Sequence, residues 1–204
     1  MGLKDAGQIG SIKIHPQNSK IVYTGAIGQP FSPNKERGLF KTIDGGKTWK
    51  KILYISDKIG IVDIEFSPEN PDIIYAASWE VNRKPWSIIS GSKDGGIYKS
   101  MDAGKNWIKL SKGLPKGNIG KIDLAVSSAD PKRLYALIEA DQGQGGVYVS
   151  YDMGLNFKIM SNRKELVNRP FYYCNIYAHP KNADVIYSSA NKFMVSKNAG
   201  KTWE

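Results

Sequence analysis

Two aspartates and two aromatic-rich segments are the parts of this sequence whose residue types and spacing could do chemistry. Asp63 and Asp123 hold one recurring position, five residues before a turn, where Ser11 and Asn175 stand elsewhere in the chain. Two carboxylates flanking a glycosidic bond, roughly 5 to 9.5 Å apart according to mechanism, can hydrolyse it. Glu80 and Glu139 are loop-borne alternatives. The same two aspartates also read as strand-end caps that meet channel water. The segment Trp79-Glu80-Val81-Asn82-Arg83-Lys84-Pro85-Trp86 gathers two indoles and two cations, and Arg169-Pro170-Phe171-Tyr172-Tyr173 adds a cation and three aromatics. Such sets bind sugar rings, peptides or other planar ligands by stacking, cation–π contact and bidentate hydrogen bonds. They also serve to fold long loops down onto a scaffold.

Other chemistries are excluded by what the chain lacks. One cysteine, Cys174, gives no disulfide framework, and with only His15 and His179 there is no cluster that would hold a metal. No cofactor is expected. No apolar run approaches the ~20 residues of a membrane-spanning helix. The net charge is +10, with 29 Lys and Arg against 19 Asp and Glu, yet only five of the cations are arginine: Arg37, Arg83, Arg133, Arg163 and Arg169. The lysines are dispersed along the chain, which suits solvated turns and blunted sheet edges and argues against a nucleic-acid partner.

The elements that must position these residues are written as a repeat. Thr42-Ile43-Asp44-Gly45-Gly46-Lys47-Thr48-Trp49 returns as Ser100–Trp107, Ser150–Phe157 and Ser196–Trp203, at spacings of 58, 50 and 46 residues. The pattern is [ST]-x-[DN]-x-G-x-[TN]-[WF]. A second signature, a short alternating strand such as Ile64-Glu65-Phe66-Ser67-Pro68, always leads seven residues from its turn to a tyrosine: Tyr23, Tyr75, Tyr135 and Tyr187. Each unit reads as four strands, a to d, with the box between c and d. Four antiparallel strands in about 50 residues make one β-propeller blade. The fold class is therefore all-β, with approximate blades over 10–53, 61–110, 120–160 and 174–204.

Within the box, the carboxylates of Asp44, Asp102 and Asp152, and the amide of Asn198, are placed to accept backbone N–H groups across the turn. The glycine suits a left-handed backbone, and Trp49, Trp107, Phe157 and Trp203 start the outer strand with a large apolar face turned inward. Four copies at blade periodicity mark a structural device, whereas catalysis needs one constellation. His15 and His179 fall in equivalent slots before a turn proline, so they read as turn residues, and Cys174 as a buried apolar residue.

These boxes resemble the Asp-box, or BNR, motif of sialidases, two-propeller xyloglucanases and sortilin-type receptors. The runs Gly38–Thr42, Asp72–Trp79, Arg83–Trp86 and Arg169–Tyr173 broaden the resemblance to the bacterial sortilin-like, "BNR-repeat glycosyl hydrolase" family of large propellers. A sialidase is disfavoured, because its Arg-Ile-Pro element is missing. The resemblance implies a longer protein and an extracytoplasmic location, periplasmic or secreted, although Met1–Asp5 shows no apolar leader.

In a four-stranded meander the b–c loops and d-to-a crossovers share one face, opposite the boxes. All length variation falls there, in Ala26–Arg37, Leu53–Ile61, Trp79–Gly95, Ser111–Gly120 and Met160–Tyr173. Variable loops on a rigid scaffold are the usual home of function. The sequence therefore predicts a ligand-binding scaffold for polypeptide or carbohydrate, with glycoside hydrolysis through Asp63 and Asp123 as the alternative. The fourth unit stops at Glu204, where its strand d should begin. The expectation is part of a larger propeller, whose other partners are further blades of a longer chain or a second copy.

Overall fold

A computed structural model describes residues 2–204. Sixteen strands form four antiparallel sheets in chain order. Blade 1 holds β1 (Gln8–Ile14), β2 (Val22–Gly28), β3 (Gly38–Thr42) and β4 (Lys50–Leu53). Blade 2 holds β5 (Ile59–Phe66), β6 (Ile74–Lys84), β8 (Gly96–Ser100) and β9 (Ile108–Leu110), with β7 (Ser87–Ser90) paired to the far half of β6. Blade 3 holds β10 (Ile119–Val126), β11 (Leu134–Ala140), β12 (Gly146–Ser150) and β13 (Lys158–Ser161). Blade 4 has three strands, β14 (Asn175–Ala178), β15 (Ile186–Ser189) and β16 (Phe193–Ser196). Glu204 exchanges both backbone hydrogen bonds with Val195, the first pairing of a fourth strand.

Each blade is a simple meander because alternating apolar residues must turn one face to each neighbouring blade. The core therefore lies between blades. Tyr23 and Leu39 of blade 1 pack with Ile64 and Ala76 of blade 2. Tyr75 and Ile97 pack with Leu124 and Ala136 of blade 3, and Tyr135 and Val147 with Ile176 and Ile186 of blade 4.

Hydrogen bonds tie the same joints. The Tyr23 hydroxyl donates to the Ala103 carbonyl, and Lys41 Nζ donates to that oxygen as well. Tyr75 and Lys99 repeat this on the Met153 carbonyl of blade 3. Tyr135 donates to Ala183 of blade 4. Lys99, only 3% exposed, is thus no edge lysine but a rivet between blades. Burial pushes the Tyr23 hydroxyl up to about 12, so it remains a donor at physiological pH.

The segment Trp79–Gly95, expected as an irregular loop, is instead a hairpin. β6 runs on to Lys84, turns at Pro85-Trp86 and returns as β7. Arg37, which no sequence pattern singled out, is 1% exposed and fixes the neighbouring long loop. Its guanidinium donates to the carbonyls of Gln29, Ser32, Lys58 and Val81, so it staples blade 1 to blade 2 without any carboxylate.

Candidate functional site

The polar side chains of the boxed turns make their hydrogen bonds within the turn itself. In blade 2, Asp102 Oδ1 accepts from the backbone N–H of Lys105 and Asn106, and Oδ2 accepts from Asn106 Nδ2. Asp44 and Asp152 accept alike, and Asn198 Oδ1 accepts from the Thr202 N–H. Those donors hold the Asp44 carboxyl well below its ordinary range and bring Asp102 down to about 2. The opening Ser or Thr does as much: Ser100 Oγ donates to Asp102 and accepts from the Gly104 N–H. Two residues in a row are left-handed, Ala103 then Gly104 at φ of 58° and 87°. The indole N–H of Trp49, Trp107 and Trp203 closes each turn on the carbonyl of Gly46, Gly104 or Gly200. The histidines are turn residues too, as Nδ1 of His15 and His179 accepts the N–H of Gln17 and Lys181.

Asp63 and Asp123 lie on the innermost strands, β5 and β10, against a central cavity of about 550 Å³. Each reaches into the next blade. Asp63 accepts from its neighbour Ile64 N–H and from Leu124 N–H of blade 3; Asp123 accepts from Ile176 N–H and Asn175 Nδ2 of blade 4. Glu65 adds a third carboxylate, held by Lys13 at 2.8 Å. Burial and the Asp63 charge push Asp123 and Glu65 up to about 7, and burial raises Asp63 as well. Lys13 is also raised: burial lowers it, but Glu65, Asp63 and Asp123 together more than offset that. Both partners of the ion pair hold protons more tightly than usual, as three carboxylates gathered near one half-buried ammonium would make them.

Trp79 and Val81 of β6 line the same cavity, together with Phe171 and Tyr172 from the crossover between blades 3 and 4. Trp79 and Phe171 meet edge to face at 5.2 Å, Phe171 and Tyr172 at 5.4 Å, and Tyr173 continues the series at 6.2 Å. Arg83 lies 5.7 Å from both Phe171 and Tyr172 and donates to the Tyr172 hydroxyl at 2.8 Å. Arg169, itself left-handed at φ 59°, covers Tyr172 at 5.2 Å. Two segments read separately in the sequence thus form one ladder of four aromatics and two arginines. Its inner end is closed: Trp79 is buried, and its Nε1 donates to Ser90 Oγ, which donates to Glu139. Its outer end, Tyr172 and Tyr173, is exposed. Trp86, 80% exposed at the hairpin tip, stands apart.

Of the loop carboxylates, Glu139 is tied to Ser90 and to the Lys121 N–H. Glu80 lines a smaller cleft beside Arg37. Among the described residues no group of His, Cys, Asp and Glu could hold a metal ion. Cys174 is buried, donates to the Leu166 carbonyl, and has its thiol pushed up to about 12 by that burial.

Fold and site together define a β-propeller segment with a central cavity lined by carboxylates and an aromatic–arginine ladder. Searches among known proteins agree on the architecture. No protein-family model matches the chain. A probable oligoxyloglucan-reducing end-specific xyloglucanase of Neosartorya fischeri is 26% identical over 136 residues, 60% of this chain and 15% of that protein. The crystal structure of the GH74 xyloglucanase from Xanthomonas campestris superposes over 95% of this chain and 28% of its own, with a TM-score of 0.68 and 14% identity. An ancestral GH74 enzyme covers 97% of this chain and 25% of its own, with a TM-score of 0.64 and 18% identity. YCF48 from Cyanidioschyzon merolae covers the whole chain and 57% of its own, with a TM-score of 0.52 and 17% identity. The chain thus spans well under a third of the GH74 structures, and the structural likeness is one of fold.

Proposed function

We propose that this chain is a glycoside hydrolase-like propeller segment that binds a carbohydrate or polypeptide ligand on the loop face opposite the boxes. One observation carries the reading. The ladder from Trp79 to Tyr173, with Arg83 and Arg169 on it, opens on the cavity that Asp63 and Asp123 line. An exposed tyrosine beside a guanidinium offers a ring face and hydrogen-bond donors together, which is what a pyranose or an aromatic peptide side chain needs. The four boxes add support for the Asp-box, sortilin-like relationship, and with it for an extracytoplasmic protein.

Glycoside hydrolysis is the second reading, favoured by the xyloglucanase relative and by an Asp123 carboxyl raised to about 7, which suits a general acid. Against it, Asp63 and Asp123 each already accept two hydrogen bonds, and these tie Asp63 to Leu124 of blade 3 and Asp123 to Asn175 and Ile176 of blade 4. A glycan and peptide array, followed by calorimetry on Tyr172→Ala and Arg83→Ala, tests the first reading. Each variant should weaken binding about tenfold, the scale of one stacking or cation–π contact. Reducing-sugar release on polysaccharide tests the second: turnover abolished by Asp123→Asn would replace binding by catalysis, and binding untouched by Tyr172→Ala would remove the ladder from the site.

A further inference from the structure

The three joints between successive blades use equivalent positions, and the first of them is filled differently from the others. At each joint the boxed turn of the later blade lies against strands c and d of the earlier one. In the second joint Met153 of the blade 3 box packs into the cluster that holds Leu110, and its carbonyl takes the Lys99 ammonium. In the third, Arg133 lies over Tyr151 at 4.2 Å and pairs with Asp184 of blade 4. In the first joint the blade 2 box has Ala103 where blade 3 has Met153, and Lys105 where blade 3 has Leu155. A groove of about 610 Å³ opens there at the boxed end of the molecule. Lys41, Ile43, Lys50 and Ile52 of blade 1 form one wall, and Ala103 and Lys105 of blade 2 the other. Both walls lie inside the chain, on two successive blades that are already joined.

We propose that this groove binds an acidic peptide, its apolar side chain against Ile43 and Ile52 and its carboxylates on Lys50 and Lys105. Charge complementarity carries the choice of ligand. Among the described residues no carboxylate lines the groove, and Lys41, Lys50 and Lys105 form no ion pair. Asp44 and Asp102 of the flanking boxes use their oxygens inside their own turns. The Lys41 ammonium, fixed on the Ala103 carbonyl, is lowered by burial and also by Lys105, with Asp72 opposing. Lys51 also lines the groove, but its ammonium is taken by the Lys35 carbonyl and the Tyr54 ring. Exposed ion pairs alone are worth under about 1 kcal/mol, so the apolar contact must share the work. That contact is aliphatic: Ile43 is exposed, Ile52 half-buried, and the Trp49 ring packs instead with the Phe40 cluster. A branched aliphatic wall suits a leucine or valine side chain, whereas a pyranose needs an aromatic face. This site lies at the end of the blades opposite the aromatic ladder and does not rest on the function proposed there.

Calorimetry at low salt, with the full chain and the peptide Glu-Asp-Leu-Leu-Asp-Glu, tests this. Wild type should bind it, and a peptide with serines in place of the leucines should bind at least about tenfold more weakly. Ala103→Met installs the residue that blade 3 carries on the same left-handed backbone, φ being 58° at Ala103 and 59° at Met153. It should refill the groove and weaken binding at least about tenfold with no change of charge. Lys105→Leu, again the blade 3 residue, should do the same. Neither variant should lower the melting temperature, because the second joint already holds both side chains. Lys181→Glu, at an exposed lysine on a blade 4 turn, should change affinity less than about twofold. Peptide binding untouched by Ala103→Met overturns the proposal. So does a loss on Lys181→Glu as large as on Lys105→Leu, which would be general attraction to a chain of net charge +10. A wild type that binds oligogalacturonate but not the peptide overturns it in favour of an anionic glycan, and one that binds neither overturns it outright.

Discussion

Ser100 shows how much of the fold rests on single buried polar atoms. Its hydroxyl is the acceptor for the Gly104 N–H inside the turn, and the residue is 1% exposed. Ser100→Ala leaves that N–H without a partner and should cost about 1–3 kcal/mol in urea or thermal unfolding. Ser100→Thr should be nearly silent, because Thr42 fills the same role in blade 1, accepting from Gly46. The alternation of serine and threonine at this position was visible in the repeat. What it did was not, because the hydroxyl's partner is fixed only when the turn has closed. Asp63 and Asp123 carry the same lesson. Their recurrence was legible, while the hydrogen bonds that carry them into the next blade, 61 and 53 residues away, arise from packing alone.

At the scale of elements, glycine substitutions separate backbone conformation from close approach. Gly60 sits on β5, where an added Cβ would lie 2.5 Å from the Cα of Ile27 in blade 1. Backbone there cannot yield cheaply. Gly60→Ala should destabilise by about 2–3 kcal/mol or prevent folding, measured by chemical denaturation. Gly45 is the opposite case. Its φ is +75°, but nothing lies within 4 Å of a Cβ, and the equivalent Ala103, Met153 and Ala199 all adopt the same left-handed backbone. Gly45→Ala should cost no more than about 1 kcal/mol. The β6–β7 hairpin was missed because its strands extend a blade strand past the blade. Alternation in Trp79–Lys84 was present, but Pro85 and the variable length made a loop the simpler reading. Its consequence is functional, since the hairpin places Arg83 on Tyr172, 89 residues further along the chain.

For the whole molecule, charge is arranged so that stability should depend on pH in two opposing ways. Asp123 and Glu65, raised to about 7 by burial and by Asp63, bind protons more strongly folded than unfolded. Their contribution is complete below the ordinary carboxylate range and is lost as pH rises through about 7. The box aspartates Asp44 and Asp102, lowered by their donors, contribute above that range and lose it as pH falls. The melting temperature should therefore be highest near pH 5 and fall toward pH 8. Asp123→Asn keeps an acceptor for the Ile176 N–H but cannot titrate, so it should flatten the alkaline limb. A melting temperature rising from pH 5 to pH 8 would mean that these carboxylates are ionised in the folded protein.

The sequence by itself determined the blade. Box, strand alternation and tyrosine spacing recur with a period of about 50 residues, so the all-β repeat could be read from residue order. The net charge of +10 was read as surface lysine, and for Lys99 that reading stopped at the blade edge. Only the tertiary structure decided which residues meet. It drew Trp79, Arg83, Phe171 and Tyr172 into one ladder, turned two repeated aspartates into blade clamps around a cavity, and left Ile12 and Phe193 bare at opposite ends of the arc. The physical reason is that a blade's apolar faces are satisfied only by its neighbours. Periodicity specifies that each face exists, and the arrangement of blades decides which faces are filled.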